Sequence, residues 1–245
     1  MLFSSNVPGG SDKTAGPAPA GPPAPPPAPP DERLAYATRV RSGPGLQDFG
    51  KARFLAELDA LIDVYAAAMR PPPQQMPGRR AIMERHASFP SFRCVAVTQP
   101  AGTAGPAGRT AEIVGFAYGF HGGDGQWWHD LVRSALAKAG GRDFAQQWMA
   151  ESFEVAEVHV HPDYQGQGIG RAMVPALLHP RLERTALLST QDTESRARRL
   201  YRGLGFADLV TGYRFPGTDP PYAVMGTVLP LRPSLRMTGT GQPGS

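Results

Sequence analysis

The chain of 245 residues has one cysteine, Cys94, and only three lysines among its 25 basic residues. A single cysteine excludes an internal disulfide framework and any metal centre built from several cysteines. The apolar runs are far shorter than the roughly 18 residues that a membrane span needs, and residues 1–10 lack the basic start and apolar stretch of a secretory signal. The sequence therefore predicts a cytoplasmic protein without a membrane partner.

Positive charge is also sparse, because the net charge is +4 at pH 7 and the basic residues are scattered along the chain. Binding to DNA or RNA requires basic residues concentrated on one surface, so we expect no nucleic-acid partner. Apolar residues make up 41% of the sequence. This share is sufficient for a real core in a chain of this length.

Proline is concentrated at the N-terminus, where ten of the 27 prolines lie within the first 30 residues. This segment has almost no large apolar side chains to bury, so residues 1–32 are predicted to be a disordered tail. Residues 234–245 are polar and glycine-rich, and they are predicted to form a flexible C-terminal tail. One domain is expected between the tails, over residues 33–233.

Within this domain the spacing of apolar residues alternates between strand and helix patterns. The predicted strands cover 33–41, 92–98, 112–120, 153–160, 185–190, 209–215 and 222–229, and the predicted helices cover 47–69, 80–86, 131–139, 168–178 and 194–204. Alternating strands and helices with flanking hairpins predict an α/β domain with a mixed central sheet.

The most informative stretch is a strand that leads through a glycine-rich loop into a helix, over residues 158–171. Gly166, Gly168 and Gly170 allow a ligand to approach the backbone closely, and the positive end of the helix dipole favours an anion such as a diphosphate. A dinucleotide-binding fingerprint would require glycine where Arg171 stands, and a Walker loop would require a Lys-Ser/Thr pair that is absent. Neither of these two motifs matches.

Two blocks of sequence carry a resemblance to a known family. The loop Gln165-Gly166-Gln167-Gly168-Ile169-Gly170 resembles the coenzyme A loop of the GCN5-related N-acetyltransferase (GNAT) family. Leu200 and Tyr201, followed by Gly205 and Phe206, resemble the last helix of that family and the start of its sixth strand. The resemblance implies a mixed, mostly antiparallel central sheet flanked by helices, with the CoA site where the fourth strand passes through the loop into the third helix.

The resemblance also implies how acetyl-CoA is bound, as a co-substrate and without a metal. The residues expected to bind it are Val158, His159, Val160, Gln165, Gly166, Gln167, Gly168, Ile169, Gly170 and Arg171. The spacing of His159 and His161 on a strand end could suggest a metal site, but no third ligand of suitable type is nearby.

Three residues are expected to carry the catalysis. Periodicity alone places Tyr201 on the inward face of its helix, where a core tyrosine is the ordinary interpretation. The resemblance instead implies that Tyr201 is the general acid toward the departing thiolate. The family's base is often a glutamate on the strand before the loop, which offers Glu154 and Glu157. These two face opposite sides of a regular strand, a bulge would change that parity, and either could simply bind a cationic substrate.

The acceptor is expected to be a primary amine that attacks acetyl-CoA directly. Trp127 and Trp128 lie in the longest connection, where they either pack it onto the sheet or, with Tyr118, wall a pocket for a cationic amine. The second interpretation favours a small-molecule acceptor. A protein lysine or N-terminal amine, or a non-catalytic acyl-CoA-binding module, are the alternatives, and a homodimer is left open.

Overall fold

The computed structural model of the chain describes residues 45–100, 111–218 and 220–231. Its strands are β1 (Leu46–Phe49), β2 (Arg93–Pro100), β3 (Ala111–His121), β4 (Ser152–Val160), β5 (Thr185–Gln191), β6 (Ala207–Tyr213) and β7 (Tyr222–Val228). Its α-helices are α1 (Lys51–Ala56), α2 (Leu58–Met69), α3 (Met76–His86), α4 (Trp127–Met149), α5 (Ile169–Leu177) and α6 (Arg196–Gly203). The two predicted tails and the strand predicted over 33–41 lie outside these residues.

The strands form one open sheet in the order β1-β2-β3-β4-β5-β7-β6. Every neighbouring pair is antiparallel except β4 and β5, which are parallel. A parallel pair needs a crossover connection, and α5 provides it. The predicted mixed, mostly antiparallel sheet with flanking helices is confirmed.

One face of the sheet, called here the back face, is covered by α5 and α6. Alternate residues of the strands, such as Ala117 on β3 and Val155 on β4, pack there against Met173 and Leu177 of α5 and Tyr201 of α6. Burial of these apolar side chains is the main stabilisation of this layer, at roughly 25 cal/mol for each Å² of apolar surface removed from water.

The opposite face, called here the front face, is covered by two separate groups of helices. Helices α1, α2 and α3 pack on β2 and β3 through side chains such as Phe54 and Leu61. Helix α4 packs on β5 and β7, where Trp148 lies against Gly226. Strand β4 runs between the two groups, so its front-facing side chains lie where they meet. Among the described residues, none of the helices has both the length and the apolarity of a membrane span.

Two predicted elements differ from those in the structure. The helix predicted over 47–69 begins later, because Leu46–Phe49 pairs with β2 as an edge strand that places Phe49 opposite Cys94. Helix α4 is longer than the predicted 131–139, so Trp127 and Trp128 form its first turn instead of a loop. Its backbone breaks at Gly141, whose φ of 87° is not helical. Long-range pairing and packing override local periodicity in both places.

Candidate functional site

The centre of the sheet contains an opening between its only two parallel neighbours. Strand β4 pairs with β5 only where Ser152–Glu154 lies beside Thr185–Leu187. Both strands continue well beyond these residues, β4 to Val160 and β5 to Gln191. From Val155 onward, the edge of β4 that faces β5 therefore has no strand partner among the described residues. Backbone amides at such an edge can bind an extended ligand that carries amide groups of its own.

The glycine-rich loop lies at the open end of this gap. Gly166 and Gly168 have φ values of 80° and 83°, and a Cβ on either would have no atom within 4 Å. Side chains rarely adopt this backbone conformation, so glycine is required here by conformation while the space above it stays free. Gly168 is the N-cap of α5. The first amides of that helix have no acceptor within the helix and carry its positive partial charge.

Other residues of the loop hold its shape. The Gln165 side chain donates through Nε2 to the Val160 carbonyl at 3.0 Å, which fastens the loop to the end of β4. Gln167 donates to the Asp163 carbonyl at 3.4 Å. A Cβ on Gly170 would lie 3.1 Å from Leu200 Cδ2, so this glycine allows α5 and α6 to approach each other.

An irregularity in β4 determines where its acidic side chains point. Tyr118 of β3 pairs with Glu157 and Gly119 pairs with Val155, so Ala156 is an extra residue in β4. This bulge changes the alternation of faces. Glu154 pairs with the front-facing Phe120, and Glu157 pairs with the front-facing Tyr118. Both glutamates therefore lie on the front face, although a regular strand would separate them.

Glu157 is buried in a network of charged and polar groups. Its Oε1 accepts from Arg79 Nη1 of α3 at 2.6 Å, and its Oε2 contacts His159 Nε2. Arg79 also donates to the Tyr65 hydroxyl at 3.1 Å. Burial alone would raise the pKa of Glu157, but the surrounding positive charge, including the Arg79 guanidinium, holds this pKa well below its usual range. Burial lowers the pKa of His159, so its ring is neutral at pH 7.

Glu154 has a different partner, His129 in the first turns of α4. The distance from His129 Nδ1 to Glu154 Oε1 is 2.8 Å, and both side chains are only 4% exposed. Burial raises the pKa of Glu154, and the hydrogen bond with His129 opposes that rise. Within the described residues the second carboxylate oxygen accepts no hydrogen bond. Glu154 is therefore the less constrained of the two carboxylates.

Tyr201 lies on the back face, as the apolar spacing of its helix predicts. Its side chain is 7% exposed and its ring packs on Phe206 with a centroid distance of 5.8 Å. Burial, with a smaller contribution from the negative charge of Glu157, raises the pKa of Tyr201. The hydroxyl has no hydrogen-bond partner in the part of the chain that the structure describes.

The other predicted site residues fall into two groups. Val158 and Val160 point to the back-face core, which leaves only their backbone toward the opening, and the Arg171 side chain is exposed beside Gly203. His159 faces the other way, toward Tyr65 and Phe116. Its ring is therefore a core group on the front face.

The aromatic residues expected to bind the acceptor do not enclose a common pocket. Tyr118 is 0% exposed, and its hydroxyl lies 3.1 Å from His86 Nδ1. Trp127 is 44% exposed and stacks on Phe215, while Trp128 donates to the Ser189 hydroxyl at 3.0 Å. In this structure both tryptophans hold α4 on the sheet, and Tyr118 belongs to the core.

Two functional groups escaped sequence reasoning, and both come from helices far away in the chain. Arg79 follows the ordinary helical pattern and has an exposed arginine neighbour, so nothing local distinguishes it. His129 stood beside the two tryptophans in a segment predicted to be a loop. Across residues 45–100, 111–218 and 220–231, no group of three His, Cys, Asp or Glu is placed to hold a metal ion.

The architecture so far defines a class: an open mixed sheet that splits at its parallel pair, with a glycine-rich loop and a helix N-terminus at the split. Residues 107–208 match the sequence profile of the acetyltransferase (GNAT) domain. The domain of this chain belongs to the GNAT family, and the resemblance found in the sequence is confirmed.

Individual relatives support the same assignment. A GCN5-like protein acetyltransferase of Mycobacterium tuberculosis is 42% identical over 125 residues, which cover 49% of this chain and 61% of the relative. The chain thus matches less than two thirds of that protein. A GNAT-family acetyltransferase structure from Desulfovibrio desulfuricans superimposes with a TM-score of 0.50 at 13% identity, covering 75% of this chain and 97% of that one. A Salmonella typhimurium acetyltransferase, solved with acetyl-CoA, gives a TM-score of 0.48 at 17% identity, covering 77% and 95%.

We predict that Glu157→Gln makes the stability of the fold less dependent on acidic pH. The pKa of Glu157 is lower in the folded chain than its ordinary 4.5. Its ionised form therefore stabilises the fold above about pH 4.5, and this stabilisation is lost as pH falls toward the folded pKa. Urea unfolding from pH 7 to pH 3 should show a shallower decline for the variant. At pH 7 the variant should unfold more easily, by about 3–5 kcal/mol, since Arg79 loses its buried partner.

The matched control for this prediction is Glu84→Gln on the exposed side of α3. Its carboxylate pairs with Arg80 at 3.5 Å near the surface. Surface pairs contribute about 0–1 kcal/mol, so this variant should follow the wild-type pH dependence. Equal pH dependence in wild type and Glu157→Gln would contradict the assigned role of the buried pair.

Proposed function

We propose that this chain is an acetyl-CoA-dependent N-acetyltransferase that moves the acetyl group to a primary amine by direct attack. The observation that carries the proposal is the opening between β4 and β5, which leads directly to a glycine-rich loop and the N-terminus of α5. Membership of the GNAT family supports the same reaction class. No other opening described above combines an unpaired strand edge with an anion-binding helix end.

Each part of acetyl-CoA has a complementary part of this opening. The backbone amides of Gly166–Arg171 would hold the diphosphate, because they combine free donors with a positive helix end. The pantetheine arm carries amides of its own, and the β4 edge at Val158–Val160 offers unpaired donors and acceptors to it. A backbone N–H of this edge would polarise the thioester carbonyl, as donors in an oxyanion hole do.

In the proposed reaction the amine nitrogen attacks the thioester carbonyl carbon. The carbon–sulfur bond breaks and its electron pair stays on sulfur. The amine gives up a proton to a carboxylate, and the thiolate takes a proton from the Tyr201 hydroxyl. The raised pKa of Tyr201 keeps this hydroxyl protonated in the resting enzyme. The products are an N-acetylated amine and free CoA, and both side chains regain their starting protonation from solvent.

We assign the base to Glu154 rather than to Glu157. Both oxygens of Glu157 are engaged, one by Arg79 and the other by His159. To accept a proton, Glu157 would have to give up a buried ion pair, which is costly. Glu154 has one oxygen without a hydrogen bond in the described residues, and burial moves its pKa upward, toward the range of an effective base at neutral pH.

Two classes of amine compete as the acceptor. A small molecule is our expectation if Trp127 and Trp128 enclose a pocket, yet both pack α4 onto the sheet. A protein amine is the second candidate, and it is favoured by the Mycobacterium tuberculosis relative, whose name describes a protein acetyltransferase. The front-face junction over β4, between the α1–α3 group and α4, is where either amine would enter.

The proposal is tested with acetyl-CoA and a panel of amines: spermidine, tyramine, a lysine-containing peptide and a peptide with a free α-amino group. CoA release and the mass of each product are measured together, so that thioester hydrolysis is distinguished from transfer. Acetylation of any member supports the enzyme, and the preferred member assigns the acceptor class. Calorimetric binding of acetyl-CoA without any transfer would indicate a non-catalytic binding module.

Gly168→Ala should weaken acetyl-CoA binding. The substitution strains a residue whose φ is 83° and places a methyl group in the space above the loop. We expect the dissociation constant, measured by isothermal titration calorimetry, to rise about tenfold or more, which corresponds to about 1.4 kcal/mol. Gly125→Ala is the matched control, since Gly125 has the same φ and an equally open position in the loop before α4. Equal loss of affinity in both variants would contradict the assignment of the loop.

Tyr201→Phe should reduce the rate of transfer while leaving acetyl-CoA binding intact. The change removes only the hydroxyl that protonates the departing thiolate. We expect kcat to fall on the order of 10²-fold or more, as for removal of a general acid. Tyr222→Phe, which removes another buried hydroxyl on β7, is the control and should keep the wild-type rate. Unchanged turnover of Tyr201→Phe at every pH would exclude this role.

A further inference from the structure

The connection between β3 and β4 is far longer than the geometry of these strands requires. They are antiparallel neighbours, which a turn of two residues can join. Here the chain leaves the sheet after His121 and returns at Ser152, and α4 occupies most of the distance. The first turns of α4 lie against the β4 residue that we assign as the base. The connection therefore brings a distant part of the chain to the reaction centre.

The contact consists of His129 and Glu154, paired at 2.8 Å with both side chains buried. The surrounding backbone is shaped for it. A Cβ on Gly122 would lie 2.6 Å from Glu154 Oε1 and 2.7 Å from His129 Nδ1. Real Cβ atoms are not found at such distances, so any other residue at position 122 would push the pair apart.

Further hydrogen bonds fix His129 from both sides of β4. Trp128 Nε1 donates to Ser189 on β5 at 3.0 Å. Gln126 Nε2 donates to the His121 carbonyl at the end of β3 at 3.1 Å, and the Gln126 carbonyl accepts from the Asp130 amide at 3.0 Å. The start of α4 is thus attached to both neighbours of β4, so the ring has little freedom to leave Glu154.

We propose that His129 is a positioning residue for acetyl transfer, donating its Nδ1–H to Glu154 Oε1 so that the carboxylate stays ionised with Oε2 directed to the amine. This inference rests on the proposed function and on Glu154 as its base. During transfer the amine proton moves to Oε2, directly or through a water molecule, while the Nδ1–H bond to Oε1 persists. The electron pair left on nitrogen forms the new bond to the carbonyl carbon.

The charges around the pair give the hydrogen bond a measurable consequence. Burial raises the pKa of Glu154 and His129 lowers it, so removing the ring should raise that pKa further. His121 on β3 also lowers it, and Asp130 on α4 raises it. On β5 the residue beside Glu154 is the apolar Leu187, and on the same face of β4 the nearest acid is Glu157 with its partner Arg79.

A cavity of about 350 Å³ beside His129 connects this buried region with solvent. Its lining includes His121, Asp124, His129, Arg133 and Gln146. The cavity is large enough for several water molecules, each of which occupies about 30 Å³ in the liquid. Glu154 can therefore return its proton to water between turnovers.

The test compares pH profiles of single-turnover acetyl transfer for wild type and His129→Phe, using the panel amine with the highest rate. Phe keeps an aromatic ring and removes the donor. We expect the acid limb to move to higher pH by about one unit or more, with the rate at pH 7 falling about tenfold and recovering at pH 9. His129→Gln, whose amide can still donate, should show a smaller shift and carries the test if the Phe variant does not fold.

Two further variants make the outcome decisive. Arg133→Gln alters the same helix and the same cavity but leaves the pair intact, so it should keep the wild-type profile. Glu154→Gln should remove the acid limb that His129→Phe displaces. An unchanged profile for His129→Phe, or an equal loss at every pH, would overturn the inference while acetyl transfer by the wild type still stands. If the wild type acetylates no panel amine, the proposed function itself fails and the inference fails with it.

Discussion

The extra residue in β4, Ala156, is the constraint on which the arrangement of the site depends. In a regular strand, residues three apart project to opposite faces, so Glu154 and Glu157 could not share one. The bulge brings both carboxylates to the front face while Val155 and Val158 keep their places in the back-face core. One irregular pairing with β3 thus reconciles two acidic side chains with an otherwise ordinary apolar strand.

The helices that cover the front face determine what these carboxylates experience. Helix α3 contributes Arg79 to one of them, and α4 contributes His129 to the other. Burying a carboxylate is tolerated only with a partner, so neither helix can be removed without exposing or stranding a charge. Covering the sheet and completing the site are therefore the same structural task, and each helix performs half of it.

Local signals explain how much of this could be predicted from sequence. The glycine loop and the Leu200-Tyr201 helix were found because their turn and helix patterns are short and self-contained, and the mixed sheet followed from the alternation of elements. Arg79 and His129 were not found, since each pairs with a glutamate far away in sequence. The edge strand at Phe49 was mistaken for helix because its pairing with β2 is not written in its own periodicity.

The two glutamates also show why a shared strand does not give them a shared role. A guanidinium is charged at every pH of interest, so Arg79 holds Glu157 as a permanent anion. An imidazole supplies a hydrogen bond without the obligation of a full charge, and it only partly offsets the burial of Glu154. The pKa values of the two acids therefore move in opposite directions. The one that moves upward can exchange a proton near neutral pH, and the one that moves downward stays as a fixed charge that helps keep Tyr201 protonated.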